Sequence, residues 1–177
     1  MNKKLFLIST AVFILSCSTL FPQNLETVPQ ESSQQNGSGS ASNNLIGFTE
    51  VRLHPADGKL DEMLTTEAEK AVSAGLQPVV EFDASWCPPC QAIKKHLDAK
   101  NELMLKAYDG TYIIKLDVDE WGWDSGKVEN FSFEAIPVYF KLDAQGKQTG
   151  EVIDGGAWNE DIPVNIAPVM DAFFHGK

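Results

Sequence analysis

The chain has 177 residues, with 14 Lys and Arg against 25 Asp and Glu, a formal net charge of −11 and 43% hydrophobic residues. That length suits one domain with accessory segments and leaves little room for two full ones. So acidic a chain cannot displace counterions from a phosphate backbone, which argues against nucleic acid as a partner, and the composition excludes collagen-like, coiled-coil and multi-span membrane architectures.

Lys3 and Lys4 precede an apolar run from Leu5 to Leu15, 11 residues long. A helix needs about 20 apolar residues to span the hydrocarbon core, so this run is too short for a stable anchor. A basic start, a short apolar stretch and a small residue before a break have the form of a secretory signal. The break, Ile14-Leu15-Ser16-Cys17, resembles a bacterial lipobox, in which the cysteine becomes the lipidated first residue. A plain signal peptide cut between Ser18 and Phe21 is the alternative. Residues 1–16 are thus expected to be a lipoprotein signal. Residues 17–44 would be lipidated Cys17 and a Ser-, Gly-, Asn- and Gln-rich tether, too poor in apolar side chains to offset chain entropy. The lipobox resemblance implies a bacterial cell-envelope location, held to the membrane through lipid on Cys17 and facing the periplasm or exterior. The cysteine count agrees: with Cys17 lipidated, Cys87 and Cys90 remain, and no odd thiol is left in an oxidising compartment.

Residues 45–177 alternate between strand and helix patterns. Ile46–Leu53 reads as a first strand. Leu60, Met63, Leu64, Ala68, Ala71 and Val72 share one helical face, and Gly75 ends that helix, with Pro78 beyond it. Pro78–Asp83 is a buried strand, Cys87 to about Ala107 a helix and Thr111–Asp117 another strand. Pro137–Leu142 and Gly150–Ile153 form a hairpin around a turn at Asp143–Gly146. A last helix starts near Asn165, tolerates Pro168 in its first turn and aligns Ile166, Val169, Met170 and Phe173. The order describes an α/β domain, a mixed sheet covered on both faces.

The chemistry concentrates in Trp86-Cys87-Pro88-Pro89-Cys90, where a buried strand passes into a helix. Cysteines three apart at a helix start can meet within disulfide distance. Cys87, at the N-cap, lies near unpaired amides and the positive end of the helix dipole, which favour its thiolate. It is therefore the candidate nucleophile, and Cys90 the more buried resolving thiol. Pro88 and Pro89 fit a first turn but remove two amide donors, so the Cys87 thiolate is expected to be only moderately stabilised.

Val80-Glu-Phe-Asp-Ala-Ser-Trp-Cys-Pro-Pro-Cys90, then Ile114-Lys-Leu-Asp-Val-Asp119, Ala135-Ile-Pro-Val-Tyr-Phe140 and Gly155-Gly156 resemble thioredoxin segments in the same order. The resemblance covers about Pro78 to Gly156. It implies a thioredoxin fold, with about five strands flanked by about four helices, and a thiol–disulfide oxidoreductase. It matches Ile136-Pro137 to the cis peptide bond that faces the dithiol in that family. Glu81 takes the place of the family's buried acid, which is usually aspartate, and Lys115 that of the lysine pairing with it. A carboxyl behind the disulfide with a raised pKa could accept the Cys90 proton during resolution. The other reading is a Glu81–Lys115 pair that merely satisfies two half-buried charges. Trp86, Pro88, Pro89, Ile136 and Pro137 are the candidate substrate contacts. Trp121 and Trp158 are read as packing residues, with an apolar rim near Cys87 as the alternative.

No diffusible cofactor is expected, since the electrons reside on the Cys87 and Cys90 sulfurs. The expected partners are protein thiols or disulfides of the envelope and an upstream membrane electron donor or acceptor. The prolines favour a reductase over an oxidase or isomerase. Two rival classes stand beside the enzyme. One is a metal-handling module, against which His54, His96 and His175 show no ligand-like spacing, and the other is a protein-docking module on the same fold.

Overall fold

The computed structural model describes residues 45–122, 127, 128 and 130–176. The expected signal segment and tether, and residues 123–126, lie outside the described residues. Strand β1 (Thr49–Leu53) is followed by helix α1 (Leu60–Ser73), strand β2 (Gln77–Asp83), helices α2 (Pro88–Asp98) and α3 (Glu102–Tyr108), and strand β3 (Thr111–Asp117). After these come the one-turn helix α4 (Val118–Trp121), short strands β4 (Lys127–Val128) and β5 (Phe131–Ser132), strands β6 (Val138–Leu142) and β7 (Gln148–Asp154), and helix α5 (Pro163–His175).

The main sheet has the order β1-β3-β2-β6-β7, with β1, β3 and β2 parallel and β6 and β7 antiparallel. This is the thioredoxin fold. Every residue of β2 from Pro78 to Asp83 is buried, as a central strand covered on both faces requires. Val80, Phe82, Ile114, Leu116 and Phe140 face α1 on one side. Val79, Ile113 and Tyr139 face α2, α3 and α5 on the other. Among the described residues no helix is long and apolar enough to cross a membrane.

Local chemistry sets the ends of these elements. Helix α1 closes in a Schellman motif, the Leu76 N–H donating to the Ala71 carbonyl at 2.9 Å and the Gly75 N–H to that of Val72 at 3.0 Å, with Gly75 at φ +74°. The single helix expected from Cys87 to Ala107 is two helices. Lys100 adopts φ +54°, and Asn101 caps α3 by accepting from the N–H groups of Leu103 and Met104 at 3.1 and 3.3 Å. Helix α5 begins two residues earlier than expected, with Pro163 as its first residue, so Pro168 falls in the second turn and lacks the N–H that would reach the Val164 carbonyl. In the β6–β7 turn the Asp143 carboxylate accepts from the N–H groups of Gln145 and Lys147, both at 2.9 Å. Gly146 there has φ +74°, and a Cβ on it would lie 2.7 Å from the backbone of Leu64 and Thr65 in α1.

The C-terminal ends of β1, β3 and β2 and the start of β6 meet at one edge. Val138 pairs with Phe82 on one side and with Asp154 at the end of β7 on the other. The loops after β2 and before β6 therefore converge.

Candidate active site

Asp83 ends β2, and Ala84–Trp86 turn the chain into α2, the Cys87 N–H donating to the Ala84 carbonyl at 3.2 Å. Cys87 is the N-cap and Pro88 and Pro89 are the first two helical residues. Neither proline offers an N–H, so the first-turn amide that reaches Cys87 Sγ is that of Cys90, at 3.3 Å. The two cysteines form a disulfide with Cα atoms 5.3 Å apart. Both are buried, Cys87 to 2% and Cys90 to 4% exposure, so Cys90 is not the more buried sulfur that the sequence led us to expect.

Across from the disulfide, the Ile136–Pro137 peptide is cis, and the Ile136 carbonyl oxygen lies 3.7 Å from Cys87 Sγ. The Gly155 N–H donates to the Pro137 carbonyl at 2.9 Å. A Cβ at Gly155 would sit 3.3 Å from Pro137 Cδ and 3.6 Å from the Trp158 ring, so a residue without a side chain lets the β7 end pack against the proline. Trp86 is exposed and its indole N–H donates to Asp119 Oδ2 at 2.8 Å. Trp158 is buried and its N–H donates to Asp161, while Trp121 is half-buried and donates to the Leu53 carbonyl. Both make packing contacts, as the sequence suggested.

Beneath Cys90 lies a charged floor. In strands the side chains alternate, and the register places Glu81 beside Lys115 and Lys115 beside Arg52 on one face. Asp83 receives a bidentate grip from the Arg52 guanidinium at 2.7 and 2.9 Å, and the Lys115 ammonium at 2.9 Å. Lys115 Nζ also lies 3.3 Å from Glu81 Oε1 and 3.9 Å from Glu50 Oε2, and Arg52 lies 3.8 Å from Asp117. The Lys115–Glu81 contact is an ion pair without hydrogen-bond alignment: among the described residues Glu81 Oε1 accepts no hydrogen bond. Burial pushes the Glu81 carboxyl up to about 7; Lys115 opposes the rise, and Asp83 and Glu50 reinforce it. Burial pulls Lys115 down, but the carboxylates of Glu81 and Asp83 outweigh it and hold the ammonium above the ordinary lysine value. A cavity of about 390 Å³ opens this floor to solvent, lined by Arg52, Asp83, Lys115, Asp117 and, on the helix side, Cys90.

The three histidines stay apart. His54 pairs with Glu120 at 2.6 Å, His96 lies 3.4 Å from the Asp161 carbonyl and His175 lies 3.6 Å from Asp171. The arrangement joins a Cys87–Cys90 disulfide, the Ile136 carbonyl beside Cys87 and a buried charged cluster on the Cys90 side.

The thioredoxin family profile matches residues 61–167. The chain belongs to the thioredoxin family. It is 32% identical over 108 residues to thioredoxin H4 of Arabidopsis thaliana, covering 60% of this chain and 82% of that protein. It is 30% identical over 103 residues to an H-type thioredoxin of Oryza sativa subsp. indica, covering 58% and 76%. It is also 34% identical over 88 residues to the chloroplastic thioredoxin-like protein HCF164 of Oryza sativa subsp. japonica, covering 50% of this chain but 32% of that protein. These are plant proteins, one of them named as chloroplastic, and they overturn the bacterial cell-envelope location expected from the N-terminal segment. That expectation came from a short motif of Ile14 to Cys17, whose specificity is low beside a match over the folded domain.

Members of the thioredoxin family exchange thiols and disulfides on proteins. Cys87, Cys90, Ile136 and Pro137 come together at the disulfide, while Lys115 lines the cavity beside Cys90 and stands 3.3 Å from Glu81. Sequence reasoning missed Arg52, Asp83, Glu50 and Asp117. Their signal was present as charges two apart in three strands, Glu50 and Arg52, Glu81 and Asp83, Lys115 and Asp117, which alternation puts on one face. Which strands are neighbours was not.

Proposed function

We propose that this thioredoxin-family protein is a thiol–disulfide oxidoreductase acting as a reductase of protein disulfides. The supporting observation is the Cys87–Cys90 disulfide at the start of α2, set between the Ile136–Pro137 segment and the buried Glu81–Lys115–Asp83 floor. In the reduced protein the Cys87 thiolate attacks one sulfur of a substrate disulfide. A Cys87–substrate mixed disulfide forms and the second substrate sulfur leaves as a thiolate. Cys90 loses its proton to Glu81, directly or through cavity water, and attacks Cys87 Sγ. The Cys87–Cys90 bond forms and the first substrate sulfur leaves as the second thiol. Two electrons pass from the dithiol to the substrate, and a separate dithiol donor must restore them. No diffusible cofactor enters this cycle.

Trp86, Pro88 and Pro89 with Ile136 and Pro137 supply the groove against which a substrate chain lies. The helix start supports this direction. A strong oxidant stabilises its reduced form through a heavily favoured thiolate, and here two of the amides that would do so are replaced by proline. The test is thiol release from a disulfide-bonded model protein by the full chain, together with equilibration against glutathione. The wild type releases substrate thiols catalytically, Cys87→Ser releases none, and Cys90→Ser stalls as the mixed disulfide. A Cys87→Ser protein as active as wild type refutes the reading. A potential at the oxidising end, near −120 mV, refutes the direction.

A further inference from the structure

We propose that Arg52 is a positioning residue for this exchange: by occupying the Asp83 carboxylate, it leaves Glu81 as the acid that trades a proton with Cys90. The inference rests on the reading above and concerns a residue of β1 that precedes the matched stretch of the family.

The floor holds four carboxyl groups and two cations from three strands: Glu50 and Arg52 on β1, Glu81 and Asp83 on β2, Lys115 and Asp117 on β3. The other elements add Tyr139 from β6, opposite Glu81, whose hydroxyl lies 3.1 Å from that of Tyr108 at the end of α3. Helix α2 adds Cys90 and Lys94 at the cavity. Arg52 aims both of its hydrogen bonds at Asp83, at 2.7 and 2.9 Å, and the Lys115 ammonium stands 2.9 Å from the same carboxylate as an ion pair. Charge-assisted, bidentate hydrogen bonds fix their acceptor, so both Asp83 oxygens are taken up by Arg52. Glu81 receives no such bond on Oε1. Its proton affinity is set by burial and by the Asp83 and Glu50 charges, which raise it, and by Lys115, which lowers it; Arg52, bound to Asp83, offsets the field of that carboxylate on Glu81. Arg52 is also a third exposed, at 34%, and lines the cavity that opens to solvent.

The proton balance is simple. Cys90 S–H and the Glu81 carboxylate become Cys90 thiolate and the Glu81 acid. The thiolate then displaces the substrate sulfur from Cys87, and the Glu81 proton passes to that leaving thiolate or to cavity water. Resolution is therefore fast where Glu81 is ionised and slows as the pH falls through its pKa, about 7. Removing the Arg52 charge raises that pKa. An opposite charge close by lowers a carboxyl by 1–3 units, and partial exposure reduces this to about half a unit or more here.

The test measures the full chain as wild type, Arg52→Gln and Arg52→Lys. Single-turnover resolution of the mixed disulfide is followed from pH 5.5 to 9, and the Glu81 carboxyl carbon is titrated by NMR in the oxidised form. In Arg52→Gln the acid limb and the NMR midpoint both move up by about half a unit, slowing resolution about 2.5-fold at pH 6.5 and leaving it unchanged at pH 9. Arg52→Lys returns both toward wild type. A uniform loss at every pH, or an unmoved Glu81 midpoint in Arg52→Gln, overturns the inference. A wild type that titrates at Glu81 but never resolves a mixed disulfide overturns the parent reading instead.

Discussion

Replacing Glu81 with Gln tests the floor of the active site through stability rather than activity. In the unfolded chain this carboxyl titrates near 4.5, and in the fold near 7, because burial opposes its charge more than Lys115 supports it. The folded state thus holds the Glu81 proton more tightly than the unfolded state. The resulting stabilisation is fully present below pH 4.5 and is lost as the pH rises through 7. A shift of about 2.5 units corresponds to about 3 kcal/mol, of which roughly 2–3 kcal/mol is lost between pH 5 and pH 8. Glutamine keeps the shape and cannot ionise, so Glu81→Gln escapes this loss. Urea unfolding of the oxidised wild type and Glu81→Gln at pH 5, 6, 7 and 8 measures the difference. The variant gains on wild type at each step, and the histidines contribute equally to both proteins and cancel. The same variant resolves the mixed disulfide more slowly, so stability rises while activity falls. A stability difference that stays constant from pH 5 to 8 refutes the reasoning, and resolution as fast as wild type removes Glu81 from the proposed mechanism.

Lys115→Met leaves Glu81 and Asp83 buried without their shared ammonium, and costs about 3–5 kcal/mol at pH 8 and less at pH 5, where Glu81 is protonated; the same urea series checks it. Gly146→Ala combines φ +74° with a Cβ 2.7 Å from the α1 backbone, so it lowers stability by more than about 1 kcal/mol, read as a fall in Tm. Alkylation rates of reduced Cys87 against pH give an apparent pKa above about 5, since Pro88 and Pro89 withhold two helix-start amides; a value below that contradicts the moderate thiolate. Trp86→Phe removes the donor to Asp119 at an exposed position and changes the unfolding free energy by no more than about 1 kcal/mol, while its effect on thiol release reports how far the indole contacts substrate.

The thioredoxin assignment makes the folded domain, rather than its N-terminal segment, the firmest ground for placing this protein. The lipobox resemblance rested on four residues, and the plant relatives matched across the domain contradict the location it implied.

Much of the site was legible in the chain because its causes are short-range. The Cys87-to-Cys90 spacing, the two prolines without amide hydrogens, the helix stop at Gly75 and the turn at Asp143 each act within a few residues. Asn101, whose side chain caps α3, was equally local, and the break between α2 and α3 could have been read from it. Tertiary structure alone decided the rest. Arg52 meets Asp83, and Lys115 reaches both Glu81 and Asp83, because strands distant in sequence pair in one register, and no local pattern states that β1 lies beside β3. The sequence by itself determined two exchangeable sulfurs at a helix start. Only the packed sheet decided which acid below them keeps a proton near neutral pH, since proton affinity depends on burial and on charges brought in from other strands.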